Sequence, residues 1–224
     1  MSGPKTVTIY GRLSFPTWTA KEAYDWSQKG QYPAADVASA APSFTLLVKQ
    51  SQWELFLKHV TEVFLPYCVE QHTKGEKKDS LSPAEAKTLL DGLNDLANQV
   101  YNTPAKPVSE KSQELAPEAV AAIKCIGPKG GDIEQRAIVS DPDQLAVPDP
   151  DLLVDDKNKK VLPIGNTKFT MYPGAYVAST LNLYAYHNGK HPGFSAGAST
   201  AVFKMDGDRF GGSVAVDEDA IFLD

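Results

Sequence analysis

"AYVASTLNLYAYH", residues 175–187, keeps one alternating pattern for a dozen residues. Val177, Ser179, Leu181, Leu183 and Ala185 fall on one face, and Tyr176, Ala178, Thr180, Asn182, Tyr184 and Tyr186 on the other. A period of two is the signature of a strand, because successive side chains leave opposite sides of the backbone. The second face is tyrosine and small polar groups, which is not the composition of a plain solvent face. This stretch predicts a long strand with one buried side and one side adapted to flat partners.

Working outward, residues 191–212 read "HPGFSAGASTAVFKMDGDRFGG". GFSAG fits the G-x-S-x-G pattern of a hydrolase nucleophile elbow, which requires a strand, a sharp turn, a helix and a later histidine. A β pattern, "ASTAVFKM" (198–205), follows Ser195 instead, and His59, His72, His187 and His191 all precede it. Ser195 is therefore expected to do no chemistry. Gly193 and Gly197 are expected to let the chain enter a strand through a bend or bulge, and Asp206-Gly207 to make a hairpin turn.

Toward the N-terminus, "TVTIYGRLSF" (6–15) is a second alternating strand, with Val7, Ile9, Leu13 and Phe15 on one face and Thr8, Tyr10, Arg12 and Ser14 on the other. "SFTLLVK" (43–49) predicts a further strand, and residues 16–42 a loop. Ser51 with Glu54 forms a capping box for a helix bearing Trp53, Phe56, Leu57, Val60, Val63 and Phe64 on one face, broken or kinked at Pro66. Ser82 caps a second helix carrying Leu89, Leu90, Leu93, Leu96 and Val100. The two predict a helical hairpin inserted between β segments. Residues 103–117 read as a linker or exposed loop, and "AVAAIKCI" (119–126) is either a helix end or a strand.

The remaining chemistry is sparse. "GPKGGD" (127–132) lacks the ending of a phosphate loop and predicts a turn. His187 and His191 lack helical metal spacing, and the acidic segment lacks the Gly and Glu of a calcium loop, so no metal or other cofactor is expected. Cys68 and Cys125 are expected as buried free thiols of a reducing cytoplasm, and no run suits a membrane span.

Net charge is −6, but it is segregated. Residues 141–156 hold six Asp and no cation, residues 217–224 ("DEDAIFLD") hold four acids, and the remainder carries +4. A sheet face with tyrosines and basic neighbours can stack unpaired bases and hold phosphates. Tyr10, Tyr176, Tyr184 and Tyr186 are the stacking candidates, and Arg12, Lys168, Lys204 and Arg209 the phosphate candidates, with Lys190 a further rim charge. Alternatively the tyrosines pack under the helical hairpin. Trp18, Tyr24, Trp26 and Tyr32 either stack on a ligand or staple their loop. The tail residues Asp217, Glu218, Asp219, Phe222 and Asp224 are suited to compete with phosphates for a basic groove and, once displaced, to bind other proteins.

Three motifs, "GRLSFP" (11–16), "YPGAYVASTLNLYAYH" (172–187) and "GFSAGASTAVFKMDGDRFGG" (193–212), cover about a fifth of the chain. With them the sequence resembles the single-stranded DNA-binding proteins of tailed phages, distantly akin to the podophage binding protein with an acidic C-terminal tail. It departs from that pattern at Pro173 and Ala175, around Gly174, and in the alanine-rich 34–41 region. The resemblance implies a β-rich α+β fold: an OB-fold five-stranded barrel with an inserted helical hairpin and long loops. Residues 1–216 would form one domain, with the helical insertion at about 51–101, and residues 217–224 an acidic tail. It further implies a non-enzymatic protein of the host-cell cytoplasm that coats single-stranded DNA without sequence preference during phage replication and recombination. The tail would meet replication proteins such as a polymerase, helicase or primase. Weak duplex binding and homo-oligomers are compatible with it. The competing expectation is a β-rich structural or protein-interaction protein of a virion, with no DNA affinity.

Overall fold

The computed structural model describes residues 3–98, 102–139, 160–163, 171–188 and 191–210. The strands are β1 (Thr6–Thr17), β2 (Ser43–Lys49), β3 (Ala105–Lys106), β4 (Ala119–Ile126), β5 (Glu134–Val139), β6 (Lys160–Pro163), β7 (Tyr176–Asn188), β8 (His191–Gly197) and β9 (Thr200–Met205). The helices are α1 (Ala20–Ser27), α2 (Gln50–His59), α3 (Leu65–Thr73), α4 (Pro83–Asn94) and α5 (Glu110–Leu115).

Five strands pair in a ring, β1-β2-β4-β8-β7 and back to β1. β1 can serve both neighbours because its halves divide the work. Thr6 to Arg12 pair antiparallel with Asn182 to Tyr176 of β7, while Arg12 to Thr17 pair with β2. Gly11 sits at the crossover, where a Cβ would lie 2.6 Å from the Leu47 carbonyl oxygen; only glycine admits that approach. The seam between β4 and β8 is parallel and short, Cys125 opposite Ala196 and Ile126 opposite Gly197. β8 and β9 run in line along one edge of β7, interrupted at 198–199, where buried Ser179 donates its hydroxyl to the Thr200 carbonyl at 2.7 Å. β8 stays in the ring; β9 leaves it to pair with β5, which pairs with β6.

Ile9, Leu13, Leu46, Ile123, Leu181 and Phe194 point inward and are fully buried. The helices lie over this core: Phe64, next to α3, packs on Phe194 with ring centroids 5.4 Å apart, and Leu89 and Leu93 of α4 complete it. Gln52 of α2 accepts the Tyr10 N–H at 3.1 Å, which fixes α2 on β1.

Several local expectations need correction. α2 begins at Gln50 with Lys49 as an unassisted N-cap, so Ser51 lies inside the first turn and makes no capping box. β2 runs straight into the helix, leaving no free residue to cap. The helical path continues past Pro66 through a π turn, Val60–Phe64, whose wider loop accommodates the missing N–H and the ring. That turn shifts the phase of the face, and Val63 points to solvent. The Ser82–Glu85 capping box is present, but α4 ends at Asn94; Val100 lies outside the described residues. Residues 16–42 contain α1, held by a Thr19–Glu22 box, and the 103–117 stretch contains β3 and α5. Residues 119–126 are a strand. The acidic segment 141–156 lies outside the described residues.

Cys68 and Cys125 are both buried and free. Burial pushes the Cys68 thiol up to about 12 and raises Cys125 as well. At pH 8 both are thus protonated and shielded, so the native protein should release no chromophore from Ellman's reagent, while both thiols react in guanidinium. Rapid labelling of the native form would contradict this packing.

Candidate nucleic-acid interface

The outward residues of the ring form an open groove on one side. Lys124 and Ile126 of β4, Thr45 of β2, Ser195 of β8 and Tyr186 of β7 all line it. It consists of two adjoining hollows of about 470 and 620 Å³. The first is bordered by Tyr186, Ser195 and Lys106, the second by Trp26, Ala23 and Ser43. Phe15, Thr45 and Lys124 belong to both, so the hollows adjoin at these three residues. Lys106 and Lys124 are exposed, and neither forms an ion pair among the described residues. The groove therefore combines flat apolar surfaces with free positive charge.

GFSAG owes its first glycine to this surface. A Cβ on Gly193 would lie 2.8 Å from the Tyr186 ring and 3.0 Å from the Asn102 carbonyl oxygen. The bare backbone lets the tyrosine lie across the strand, with Tyr184 beside it at 6.5 Å between centroids. Pairing between β7 and β8 is unbroken from Asn182–Gly197 to Asn188–His191, so neither glycine marks a bulge: Gly193 serves ring packing, and at Gly197 a Cβ would lie 3.3 Å from the Asn182 carbonyl oxygen. Ser195 sits in mid-strand opposite Tyr184, and among the described residues β9 rather than a helix follows it.

The residues proposed from the sequence separate into distinct places. Tyr186 lines the groove, and Tyr184 stands behind it in ring contact. Tyr176 is eight residues earlier on β7, roughly 26 Å away at the rise of a strand. Its hydroxyl donates to Glu118 at 2.9 Å, and its ring lies under Arg12 and Lys49. Burial, then that hydrogen bond, raises its pKa. Tyr10 is half-buried near α2. Arg12 is only 4% exposed. Its guanidinium donates to the carbonyls of Gly174 (3.1 Å), Leu115 (2.8 Å) and Asp208 (2.6 Å), and Phe210 covers it at 4.5 Å. The expectation of a phosphate contact at Arg12 is thus corrected: the alternation placed it outward, but α5 and the 206–210 strap cover it.

That strap also replaces the expected Asp206-Gly207 hairpin, since no returning strand follows among the described residues. Tyr172 donates its hydroxyl to Asp206 at 2.7 Å and accepts the Gly207 N–H at 3.2 Å, while Phe210 donates to the Pro173 carbonyl at 3.0 Å. Arg209 is exposed and lies over the Tyr172 ring at 4.3 Å. Lys204 is half-buried on β9. Lys168, Lys190 and the tail residues Asp217, Glu218, Asp219, Phe222 and Asp224 lie outside the described residues. Trp18 packs on Phe44 in the core at 5.8 Å, whereas Trp26 and Tyr32 are exposed.

Sequence reasoning missed Phe15, Lys106 and Lys124. Phe15 was assigned inward by alternation, yet it is 68% exposed with φ of 46°, in the left-handed region. A bulky residue there costs on the order of 1–3 kcal/mol. The alternating pattern of 119–126 carried the signal for Lys124.

No protein-family model matches the chain, and no curated protein sequence does. Among solved structures, the single-stranded DNA-binding protein from bacteriophage Enc34 in complex with ssDNA aligns with a TM-score of 0.51 and 13% identity, over 92% of this chain and 90% of that one. Another structure of the Enc34 protein gives 0.49 at 13% identity, over 97% and 90% of the two chains. The single-stranded DNA-binding protein gp2.5 encoded by bacteriophage T7 gives 0.44 at 10%, over 98% and 95%. The family resemblance read from the motifs is borne out as a likeness of fold. Among the described residues no helix is long and apolar enough to cross a membrane, and no three His, Cys, Asp or Glu side chains are grouped to hold a metal.

Arg12→Leu should lower the unfolding free energy by about 3 kcal/mol, because three covered carbonyls lose a charged donor. The urea midpoint reads this directly. An unchanged midpoint with weakened DNA binding would return Arg12 to the phosphate contacts.

Proposed function

We propose that this protein binds single-stranded DNA without sequence preference, in the groove across the outer face of an OB-fold barrel formed by the five-strand ring. One observation carries the reading: Phe15, Trp26 and Tyr186 present rings along a single open groove whose lysines, 106 and 124, have no carboxylate partner among the described residues. Aromatic rings stack on any base for roughly 1–3 kcal/mol each, which favours unpaired strands and tolerates every sequence. Lysines on the rim replace condensed counterions, so affinity falls as salt rises. The Enc34 fold neighbour, solved in complex with ssDNA, supports the same reading.

Tyr184 and Tyr186 are the stacking residues retained from the sequence, joined by Phe15 and Trp26. Lys204 and Arg209, on β9 and the strap, together with Lys168, supply further phosphate contacts. Asp217, Glu218, Asp219, Phe222 and Asp224 act as a competing acidic peptide that recruits replication proteins when DNA displaces it. The protein thereby supports phage DNA replication and recombination.

Fluorescence anisotropy with a labelled oligo-dT of about 30 nucleotides tests this across a salt series. Binding should be micromolar or tighter and weaken with salt. Lys124→Gln should weaken it further and reduce the slope of log K against log salt by about 0.7, one single-strand phosphate contact. No binding at low salt would reject the reading in favour of a protein-binding face.

Truncation after Val216 should tighten oligo-dT binding in the same assay. Equal or weaker affinity would reject competition by the tail.

A further inference from the structure

Phe15 combines two unfavourable features at one position. Its backbone is left-handed although it is a bulky residue, and it precedes Pro16, whose ring drives the preceding residue toward extended backbone. Its side chain, a large apolar ring, stands in water.

The cause is a bulge. Ser14 pairs with Thr45 and Thr17 with Ser43, so Phe15 and Pro16 oppose the single residue Phe44. Both flanks are fixed. Leu13 exchanges main-chain hydrogen bonds with Gly174 and Ala175, each 2.8 Å, and the Thr17 hydroxyl accepts the Ser43 N–H at 2.9 Å. Unbulged alternation would turn Phe15 inward with Leu13. The extra residue rotates it out, and Phe44 with Trp18 fills the interior. No ring or cation contact engages Phe15 among the described residues. It stands where the two hollows of the groove meet.

We propose that Phe15 is a wedge that enters between two consecutive bases of the bound strand, breaks their stack and directs one base into each hollow. This rests on the single-stranded DNA reading and adds a local geometry to it. Lys124, which lines both hollows, is placed to hold the backbone where the strand bends around the ring. No base edge is read, but stacked purines must be separated at the wedge, so pyrimidine runs bind modestly more readily than adenine runs through the unstacking cost alone.

The test uses oligo-dA containing 2-aminopurine, whose fluorescence is quenched by stacking on adenine, together with Phe15→Gly. At saturating protein the native chain should raise the fluorescence severalfold. The variant, also saturated at low salt, should raise it distinctly less, because only the remaining rings then separate bases, and bind roughly tenfold or more weakly. Glycine adopts the left-handed conformation freely, so the variant's melting temperature should stay level or rise. Equal brightening by the variant would overturn the wedge while leaving DNA binding intact. A steep fall in melting temperature would mark Phe15 as structural and also overturn it. Failure of the native chain to bind any oligonucleotide would reject the DNA-binding reading, and the wedge with it.

Discussion

One buried guanidinium holds the outer side of this fold in place. Arg12 draws its acceptors from Leu115, Gly174 and Asp208, segments that lie 103, 162 and 196 residues away in the chain. A permanently charged group this far out of water is tolerable only while those carbonyls replace its hydration. Glu118 lies 3.9 Å away and the Tyr176 ring 5.5 Å, which add charge and polarisable surface but do not replace the carbonyls. The position of α5, the entry to β7 and the strap after β9 are therefore interdependent. They meet at one side chain.

This arrangement also explains why the outer face of the ring is divided. Near Arg12 it is closed by a small second core of Leu47, Ala116 and Ala119 with Phe210 against it. Beyond that, around Thr45, Lys124 and Ser195, nothing among the described residues covers it, and the groove begins. A single sheet surface thus serves packing at one end and solvent at the other. The tyrosines of β7 follow the division: Tyr176 belongs to the clamp and Tyr186 to the groove, with Tyr184 packed against Tyr186.

Where the burial pattern was local, the sequence was readable. β1, β2, β7 and the apolar stripe of α4 all follow periods carried by their own residues. β8 was not legible, because the reason for Gly193 is a ring on the neighbouring strand rather than anything in "GFSAG" itself. Phe15 was misread for a similar reason: its direction depends on how β1 registers against β2, and one extra residue reverses it. Arg12 alternates outward correctly, but what covers it comes from more than a hundred residues later. Lys106 and Lys124 are adjacent only through the pairing of β3 with β4. The candidate site was half visible, as aromatic strand faces, and its cations emerged only from topology.

The pairing of β1 with β7 has a consequence for synthesis as well as for shape. Thr8 meets Thr180 through a side-chain hydrogen bond of 2.8 Å across 172 positions. β1 is therefore made long before β7 arrives to fill its edge. During that interval Val7 and Ile9 lie on an unpaired strand, the kind of edge that recruits other chains. Nonlocal closure also places the protein among slow folders by contact order. Thr6 and Thr8 on the solvent side of that edge, with Lys5 just before it, supply polarity and charge where premature pairing would otherwise begin.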